Sequence, residues 1–397
     1  MLEGHLWRDF VAVTASVAVL GLGVGSTLPL TALVLTHRGL GPQVVGWMTA
    51  ATALGGIVGT LASASATLRF GRRRVMLACV GMAAASVICL QYVDALGGWA
   101  VLRTLFGVAM APLFVIGEAW INSLPSDAVR GRVVAIYTTS FTLCQLIGPL
   151  LTDAVVQLPH HAFLLCGAVF LLGVPGIALA RDSPRAGSHR PERDRHGALA
   201  ARKDSVASWL TIVRTAPTII AGAALFAAFD NVVLSFLPLF ALDRGLTQSR
   251  ALAAVVVVFM GDATLQFAAG WLADHVGHAR VHRLGGWLLC VLLPLLPWTI
   301  AVPGLWEVYL YVLGGVAGSV YTLSMVSSGQ RFSGAALLRA SGLIALTWSL
   351  ASSVGPAATG ILMEYFGSAA LTAVLVVMAF GFLLATRAER GAAAADS

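Results

Sequence analysis

GWLADHVGHAR, residues 270–280, joins two long apolar segments and has an imperfect counterpart in ASATLRFGRRR, residues 64–74. In each stretch a glycine precedes a basic end: Gly277 before Arg280, and Gly71 before Arg72, Arg73 and Arg74. Glycines at both ends of the first stretch, Gly270 and Gly277, suit two closely approaching helices. Asp274 then sits between them as an acceptor, and Arg280 lies where a helix re-enters lipid. Two such hinges far apart in one chain are the mark of an internal duplication.

The surrounding composition is that of an integral membrane protein. Hydrophobic residues fill 58% of the 397 positions and charged ones 11%, against roughly a quarter charged in a soluble domain. Apolar segments of about twenty residues, enough to cross ~30 Å of hydrocarbon, recur along the whole chain. The net charge of +7 sits in the short links between these segments. That is a topology signal rather than a nucleic-acid surface. Cys79, Cys89, Cys144, Cys166 and Cys290 all fall inside apolar segments, without metal-site or disulfide spacing, and read as small packing residues. A cleaved signal peptide is the competing reading of the N-terminus, with Arg8 as its basic region and Val11–Gly25 as its apolar core. The apolar run continues to Leu35, however, and its LPL at 28–30 returns at 237–239, so the segment is expected to belong to the repeat.

Apolar runs read against turn and charge signals predict spans at 10–35, 44–68, 75–92, 98–124, 131–156 and 161–180, then at 212–241, 249–273, 284–301, 304–330, 335–363 and 367–386. Between the two sets, 181–208 is rich in Arg, Asp, Ser, Gly and Pro and reads as a solvated linker. The expected fold is all-α: twelve transmembrane helices in two pseudo-symmetric six-helix bundles, 1–180 and 209–397, joined by a cytoplasmic linker at 181–208. An even number of spans puts both termini on one side. Placing that side inside assigns Arg69, Arg72, Arg73, Arg74, Arg130, Arg132, the linker cluster, Arg280, Arg283, Arg331, Arg339, Arg387 and Arg390 to the cytoplasm, and leaves Arg38, Arg244 and Arg250 outside. A bacterial-type inner membrane with cytoplasmic termini follows as the expected location.

Three further matches support the duplication. RGL occurs at 38–40 and again at 244–246, each time just after the first span of its half. Arg132 lies seventeen residues before Pro149, and Arg339 lies seventeen before Pro356. Gly148-Pro149 and Gly355-Pro356 therefore occupy equivalent depths in the fifth span of each half. Ordered matches of this kind favour a parallel repeat about an axis normal to the membrane.

These residues resemble the major facilitator superfamily, whose loop between spans two and three follows a G-x-L-A-D-R-x-G-R-K/R pattern. Gly270, Leu272, Ala273, Asp274 and Gly277 match it; His275 stands where the family often has Arg, and Arg280 supplies a base one position late. In the first half Arg69, Gly71, Arg72 and Arg73 match, while Ala64 replaces the first Gly and Leu68 the Asp. The first copy thus lacks the acid of the family's charge relay. GEAWINS (Gly117–Ser123) followed by RGRVVAIY (Arg130–Tyr137) looks like the YcaD-type permeases of that superfamily. The resemblance implies two bundles that rock about a central site and move a small molecule.

The energy source is constrained by absence of motifs. Lys203 is the only lysine and no G-x-x-x-x-G-K cradle precedes it, and no G-x-S-x-G turn occurs. A gradient or an attached partner must then drive any movement, and no cofactor or metal is expected.

Charges at membrane depth carry the chemistry, because inserting Asp or Arg at a helix centre costs ~2.5–3.5 kcal/mol. Asp230 and Asp262 lie well inside the seventh and eighth spans and can face one polar cavity. Desolvation favours the neutral form of a carboxylic acid, so such a group binds a proton and releases it when a cation or water arrives. The structural alternative ties helices together, Asp230 through Asn231 or Asp262 through Gln266. Arg103 opens RTLFG and, with Gly107, resembles the family's R-x-x-x-G element linked with proton coupling. It lies near the outer boundary, where its stem can snorkel to headgroups. Glu118, about 22 Å further along the helix, is expected to meet Arg130 or Arg132 at the inner mouth, as a gate or as a static pair. Gly148-Pro149 and Gly355-Pro356 interrupt backbone hydrogen bonding and permit bending. The drug–proton antiporter pattern g-x-x-x-G-P-x-x-G-G is matched only in part, since Cys144 precedes and Leu151-Thr152 follow. Gln145, Asn231 and Gln266 are candidate substrate contacts, with Trp120, Trp271 and Trp348 as apolar walls. His275, His278 and His282 are expected in the loop after the eighth span, as part of a cationic face rather than a metal site.

The sequence thus predicts a secondary active transporter, proton-coupled and exporting a small, partly apolar molecule. Asp230 and Asp262 would hold the proton and Arg103 would tune them or meet an anionic group. Gly270, Asp274, Gly277 and Arg280, with Arg69, Gly71, Arg72 and Arg73, would form a conformational latch beside the gate of Glu118, Arg130 and Arg132. The expected partners are the substrate, a proton and the bilayer, with the chain monomeric and no nucleic acid bound. Uptake or passive facilitation is the nearer alternative. A transporter-like receptor or scaffold is the alternative of another class; in place of its expected soluble domain or structured tail the sequence has a short polar linker and RGAAAADS, 390–397, which reads as a frayed end.

Overall fold

The computed structural model describes residues 4–123, 130–158, 160–180, 212–302, 304–332 and 334–395. The linker expected at 181–208 lies outside the described residues, as do the side chains of Arg130 and Arg132. The first half comprises α1 (Gly4–His37), α2 (Pro42–Phe70), α3 (Arg72–Cys89), α4 (Leu96–Ser123), α5 (Arg130–Val156), α6 (Ala162–Leu171) and α7 (Val174–Leu179). The second comprises α8 (Pro217–Asp243), α9 (Gln248–Val276), α10 (His278–Thr299), α11 (Leu305–Arg331), α12 (Gly334–Phe366) and, after a 3-10 turn (Ser368–Thr372), α13 (Ala373–Ala395). Helices α6 and α7 are two pieces of one span interrupted at Leu172–Gly173, so the described helices make twelve spans, and the described residues include no strand.

Three expectations need correction. The ninth span starts at His278, not 284, because Gly277 turns the chain in a single residue with φ 104°. The histidines placed in a loop therefore sit on helices: His275 in the last turn of α9, His278 and His282 in α10. The stretch read as a frayed end is helical as far as Ala395.

Ten of the described helical segments carry an apolar window long enough to span a membrane. The exceptions are explicable by composition. Helix α3 has only 18 residues and opens on three arginines, and the apolar residues of α12 are diluted by Ser, Thr and Gly. Many buried hydroxyls are satisfied within their own helices, as Thr31 on the Thr27 carbonyl (2.7 Å) and Ser319 on the Gly315 carbonyl (2.6 Å), which lowers their cost in hydrocarbon.

Packing repeats between the halves. In the first, α1 packs on α5, α2 on α4, and α3 on α4 and α6; in the second, α8 packs on α12, α9 on α11, and α10 on α11 and α13. The turns repeat as well. Gly39 and Gly245 have φ 76° and 83°, Gly71 and Gly277 have φ 83° and 104°, and both pairs are 206 positions apart. The Leu40 and Leu246 amides close equivalent turns on the Leu35 and Ala241 carbonyls, at 3.1 and 3.0 Å. The halves meet where α2 packs on α12, α5 on α9 and α1 on α8.

These turns define two ends of the molecule: an RGL end, with Arg38–Leu40 and Arg244–Leu246, and an opposite basic end, with Gly71 and Gly277. At the RGL end the halves come backbone to backbone, Gly46 against the Pro356 carbonyl and Gly360 against the Pro42 carbonyl.

Candidate functional site

Helix α8 places Asp230 at mid-depth, where Gln145 Nε2 of α5 donates to its Oδ1 at 3.4 Å. This bond crosses between the bundles. A turn and more toward the RGL end the hydroxyls of Thr49 and Ser235 also bridge the halves, at 3.2 Å. The alternative tie between Asp230 and Asn231 is not made: the Asn231 amide donates to the Ala227 carbonyl (3.0 Å) and to Ser352 Oγ (3.1 Å), joining α8 to α12. Asp262 on α9 is 7% exposed. Its Oδ1 lies against Gly318 of α11, where any side chain would collide with it, and it is within electrostatic range of Asp230. The alternative tie from Asp262 to Gln266 is not made either; Gln266 Oε1 accepts from Thr322 at 2.8 Å. The midline therefore brings together Gln145, Asp230 and Asp262, whereas Asn231 and Gln266 fasten helices within the second bundle.

Beside this carboxylate layer stands an aromatic one. Phe226, one turn before Asp230, stacks on Tyr321 at 5.2 Å and lies 5.9 Å from Trp348, which meets Tyr321 edge-on at 5.1 Å. Tyr321 in turn follows Gly318 by three residues. Because α8 and α11 run in opposite directions, both steps lead toward the basic end, one turn from the acids. Of the three tryptophans expected as walls, only Trp348 belongs here. Trp120 is fully enclosed with the Arg72 guanidinium 4.2 Å over its ring, and Trp271 is exposed beside the His275 ring at 4.3 Å.

Arg103 does not snorkel. It is 0% exposed, its guanidinium carbon lies 5.4 Å from the Phe106 ring, and its three nitrogens have no hydrogen-bond partner among the described residues. It shares a buried face of α4 with Trp99 and Phe106, which pack edge-on against Phe163 and Phe170. Glu118 is exposed and within electrostatic range of Tyr137 on α5 and Tyr321 on α11; its expected partners Arg130 and Arg132 have side chains outside the described residues.

At the basic end Asp274 faces His278 one turn on, Oδ1 to Nε2 3.6 Å. Arg280 donates to the Val276 carbonyl at 3.3 Å, and Arg69 lies over the Phe70 ring at 5.3 Å. The close approach expected at Gly270 is not found, since nothing lies within 4 Å of where its Cβ would stand. The hinge depends on Gly277 alone. His282 is enclosed, bonded to the Val320 carbonyl (3.0 Å) and Ser324 (3.2 Å), and so ties α10 to α11.

Gly148 and Pro149 sit at the crossing of α5 on α1. Pro149 leaves the Gln145 carbonyl without its helical donor, and that carbonyl lies against Gly25.

Two contacts between the bundles escaped the sequence reading. Near the C-terminal end of α5, Asp153 Oδ1 accepts from Ser249 Oγ (3.0 Å) and Gln248 Nε2 (3.5 Å) at the start of α9. Near the C-terminal end of α12, Glu364 Oε2 accepts from the Gln43 amide at the start of α2, at 3.4 Å. Each bundle thus presents an acid to a helix N-terminus of the other, where free amides and the helix dipole favour negative charge. An acid in the last two turns of both fifth helices was the available signal.

A model of the Major Facilitator Superfamily matches residues 13–261 and 250–395. The chain belongs to this family. Among relatives, the MFS-type transporter YcaD of Escherichia fergusonii is 22% identical over 378 residues, covering 95% of this chain and 94% of the relative. The MFS-type transporter YfkF of Bacillus subtilis is 22% identical, covering 91% and 90%. Among solved structures, a D-xylose–proton symporter superposes with TM-score 0.75 at 16% identity, over 96% of this chain and 97% of that one. The nucleoside transporter NupG gives 0.74 at 13% identity, over 98% and 99%. The fold is thus that of a superfamily transporter: a membrane protein of two six-helix bundles.

Proposed function

We propose that this superfamily member is a proton-coupled secondary transporter that exports a small, partly apolar molecule by alternating access. The observation that carries this reading is the Gln145–Asp230 bond, which joins a membrane-depth carboxylate of one bundle to the other bundle at 3.4 Å. Gaining or losing a proton at Asp230 changes the strength of a bond that spans the two moving parts. Binding chemistry and bundle association are then one equilibrium. Asp262, within range of Asp230, shares the proton, since two adjacent carboxylates resist ionising together. Arg103, enclosed in α4, sets the field inside the first bundle. The similarity to a D-xylose–proton symporter agrees with proton use on this fold.

In this reading the RGL end faces outward and the basic end the cytoplasm, with both termini, the 181–208 linker, the latch and the Glu118–Arg130–Arg132 gate inside. The domains are 1–180 and 209–397, and the working unit is a monomer in a bacterial inner membrane.

The test is flux in proteoliposomes under an imposed pH gradient, across a panel of cationic, neutral and anionic solutes. The native protein is expected to move at least one solute with proton movement in the opposite sense, and Asp230→Asn and Asp262→Asn to abolish the gradient's effect. Gradient-driven flux unchanged in both variants removes the assignment.

A further inference from the structure

We propose that the cargo is an amphipathic organic cation, its charge held between Asp230 and Asp262 and its apolar body laid on the wall of Phe226, Tyr321 and Trp348. This rests on the transport reading above and names its substrate class.

The argument begins with charge. Asp230 and Asp262 share the midline, and no base among the described residues forms an ion pair with either. Arg103, the membrane-depth base singled out by the sequence, is fully enclosed within the first bundle. Two acids within electrostatic range of one another and inside low-dielectric walls make a field that draws in cations and repels anions. Accessibility agrees with occupancy. Asp230 is only partly buried despite its mid-membrane depth, and Tyr321 and Trp348 also retain accessible surface.

Shape supplies the second half. The three aromatic rings are packed on one another, with centroids 5.1, 5.2 and 5.9 Å apart. No ligand fits between such rings, so they present a fixed wall and not an adaptable cage. A wall of this kind takes the flat apolar body of a ligand, and ring faces add attraction for a nearby cation. The wall lies one helical turn from the acids, a separation of about 5 Å, which suits one molecule with a charged head and an apolar body. Gly318 makes the arrangement possible, because Asp262 occupies the space a side chain would fill there.

The exchange balances. A protonated carboxyl group meets the cation, the carboxylate–cation pair forms, and the proton leaves to water, so one positive charge replaces another.

Binding at equilibrium, without a gradient, separates this inference from the coupling assignment. The full-length protein in nanodiscs is titrated with two size-matched pairs, tetraphenylphosphonium against tetraphenylborate and benzyltrimethylammonium against benzenesulfonate, with empty nanodiscs subtracted. At least one cation is expected to bind saturably, its anionic partner at least tenfold more weakly. Asp230→Asn and Asp262→Asn, both isosteric, should each weaken the cation at least tenfold, and Trp348→Leu by about two- to fivefold. Equal affinity for cation and anion, no saturable binding of either cation, or cation affinity unchanged by both Asp substitutions overturns the proposal. An anion preference with gradient-driven flux intact would overturn the cargo class and leave coupling standing. Cation binding without gradient-driven flux would do the reverse.

Discussion

Helix α1 crosses α5 with backbone hard against backbone, whereas the equivalent crossing of α8 on α12 is looser and carries side chains in the seam. In the first bundle Gly25 meets the Gln145 carbonyl and Gly148 meets Gly25, with no room for a Cβ on either. In the second, Asn231 stands where the repeat offset places Gly25, and its amide reaches Ser352 at 3.1 Å. Gly355, the partner of Gly148, faces Ala228, whose Cβ lies 2.7 Å and whose Cα lies 3.2 Å from its would-be Cβ, a looser approach than the 2.2 Å between Gly148 and the Gly25 backbone. The same offset pairs Asp230 with Val24, Asp262 with Gly56 and Tyr321 with Val115. One backbone plan therefore carries two chemistries. The first copy is close-packed and apolar at these positions, and the second spends the same positions on acids, amides and aromatics.

The largest expected effect tests that difference in packing. Gly148→Ala must push two backbones apart, and overpacking of this kind costs ~1–3 kcal/mol. Gly355→Ala meets a methyl group on one side and should cost less. Thermal unfolding of the purified protein, followed by near-ultraviolet circular dichroism, should rank native above Gly355→Ala above Gly148→Ala. Equal losses would mean that the two crossings are alike in stiffness and that Asn231 merely decorates the second.

A smaller effect sharpens the comparison at the RGL end, where the two halves act alike. Asp153 and Glu364 each face a helix N-terminus of the opposite bundle. A carboxylate in that setting contributes ~0.3–1 kcal/mol. Asp153→Asn with Glu364→Gln should therefore favour separation at this end by about three- to thirtyfold. Spin labels at Tyr92 and Tyr365, exposed residues at the RGL end of each half, would report a longer distance population. The single variants should contribute comparable shares. If only one matters, the clasp is not a two-fold device.

What could be read in advance follows from how the information is stored. Spans, turns and duplication are local patterns, and RGL, Gly71 and Gly277 marked their turns before any contact was known. Asp230 and Asp262 were found because charge is costly at their depth. The clasps were not found, because an acid near a helix end is ordinary until the facing helix is known. Asn231 and Gln266 were assigned to substrate on polarity alone, yet their hydrogen bonds go to Ser352 and Thr322. Partner choice depends on which faces meet across the bundle. Snorkelling stays open for Arg103 in the sequence because distance along a helix measures depth and not which face is covered, and Trp99 and Phe106 turn that face inward.

The smallest effect concerns the hinge at Gly277. Asp274 is 71% exposed and lies 3.6 Å from His278, so their attraction contributes ~0.2–1 kcal/mol at most. Its position still gives it leverage. An acid in the last turn of α9 opposes that helix's dipole, while the start of α10, one glycine away, favours it. Any motion that changes the angle between α9 and α10 changes this balance. Asp274→Asn should shift the ratio of the two access states by up to about fivefold, and Leu68→Ala, at the equivalent place in the first half, should leave it unchanged. Labelling of single cysteines at Tyr92, at the RGL end, and at Phe267, exposed on α9 toward the basic end, in a background with the five native cysteines replaced, measures the ratio. A shift from Leu68→Ala equal to that from Asp274→Asn would show that the hinge responds to bulk and not to charge. No shift from Asp274→Asn would reduce the loop to a turn whose only requirement is the positive φ of Gly277.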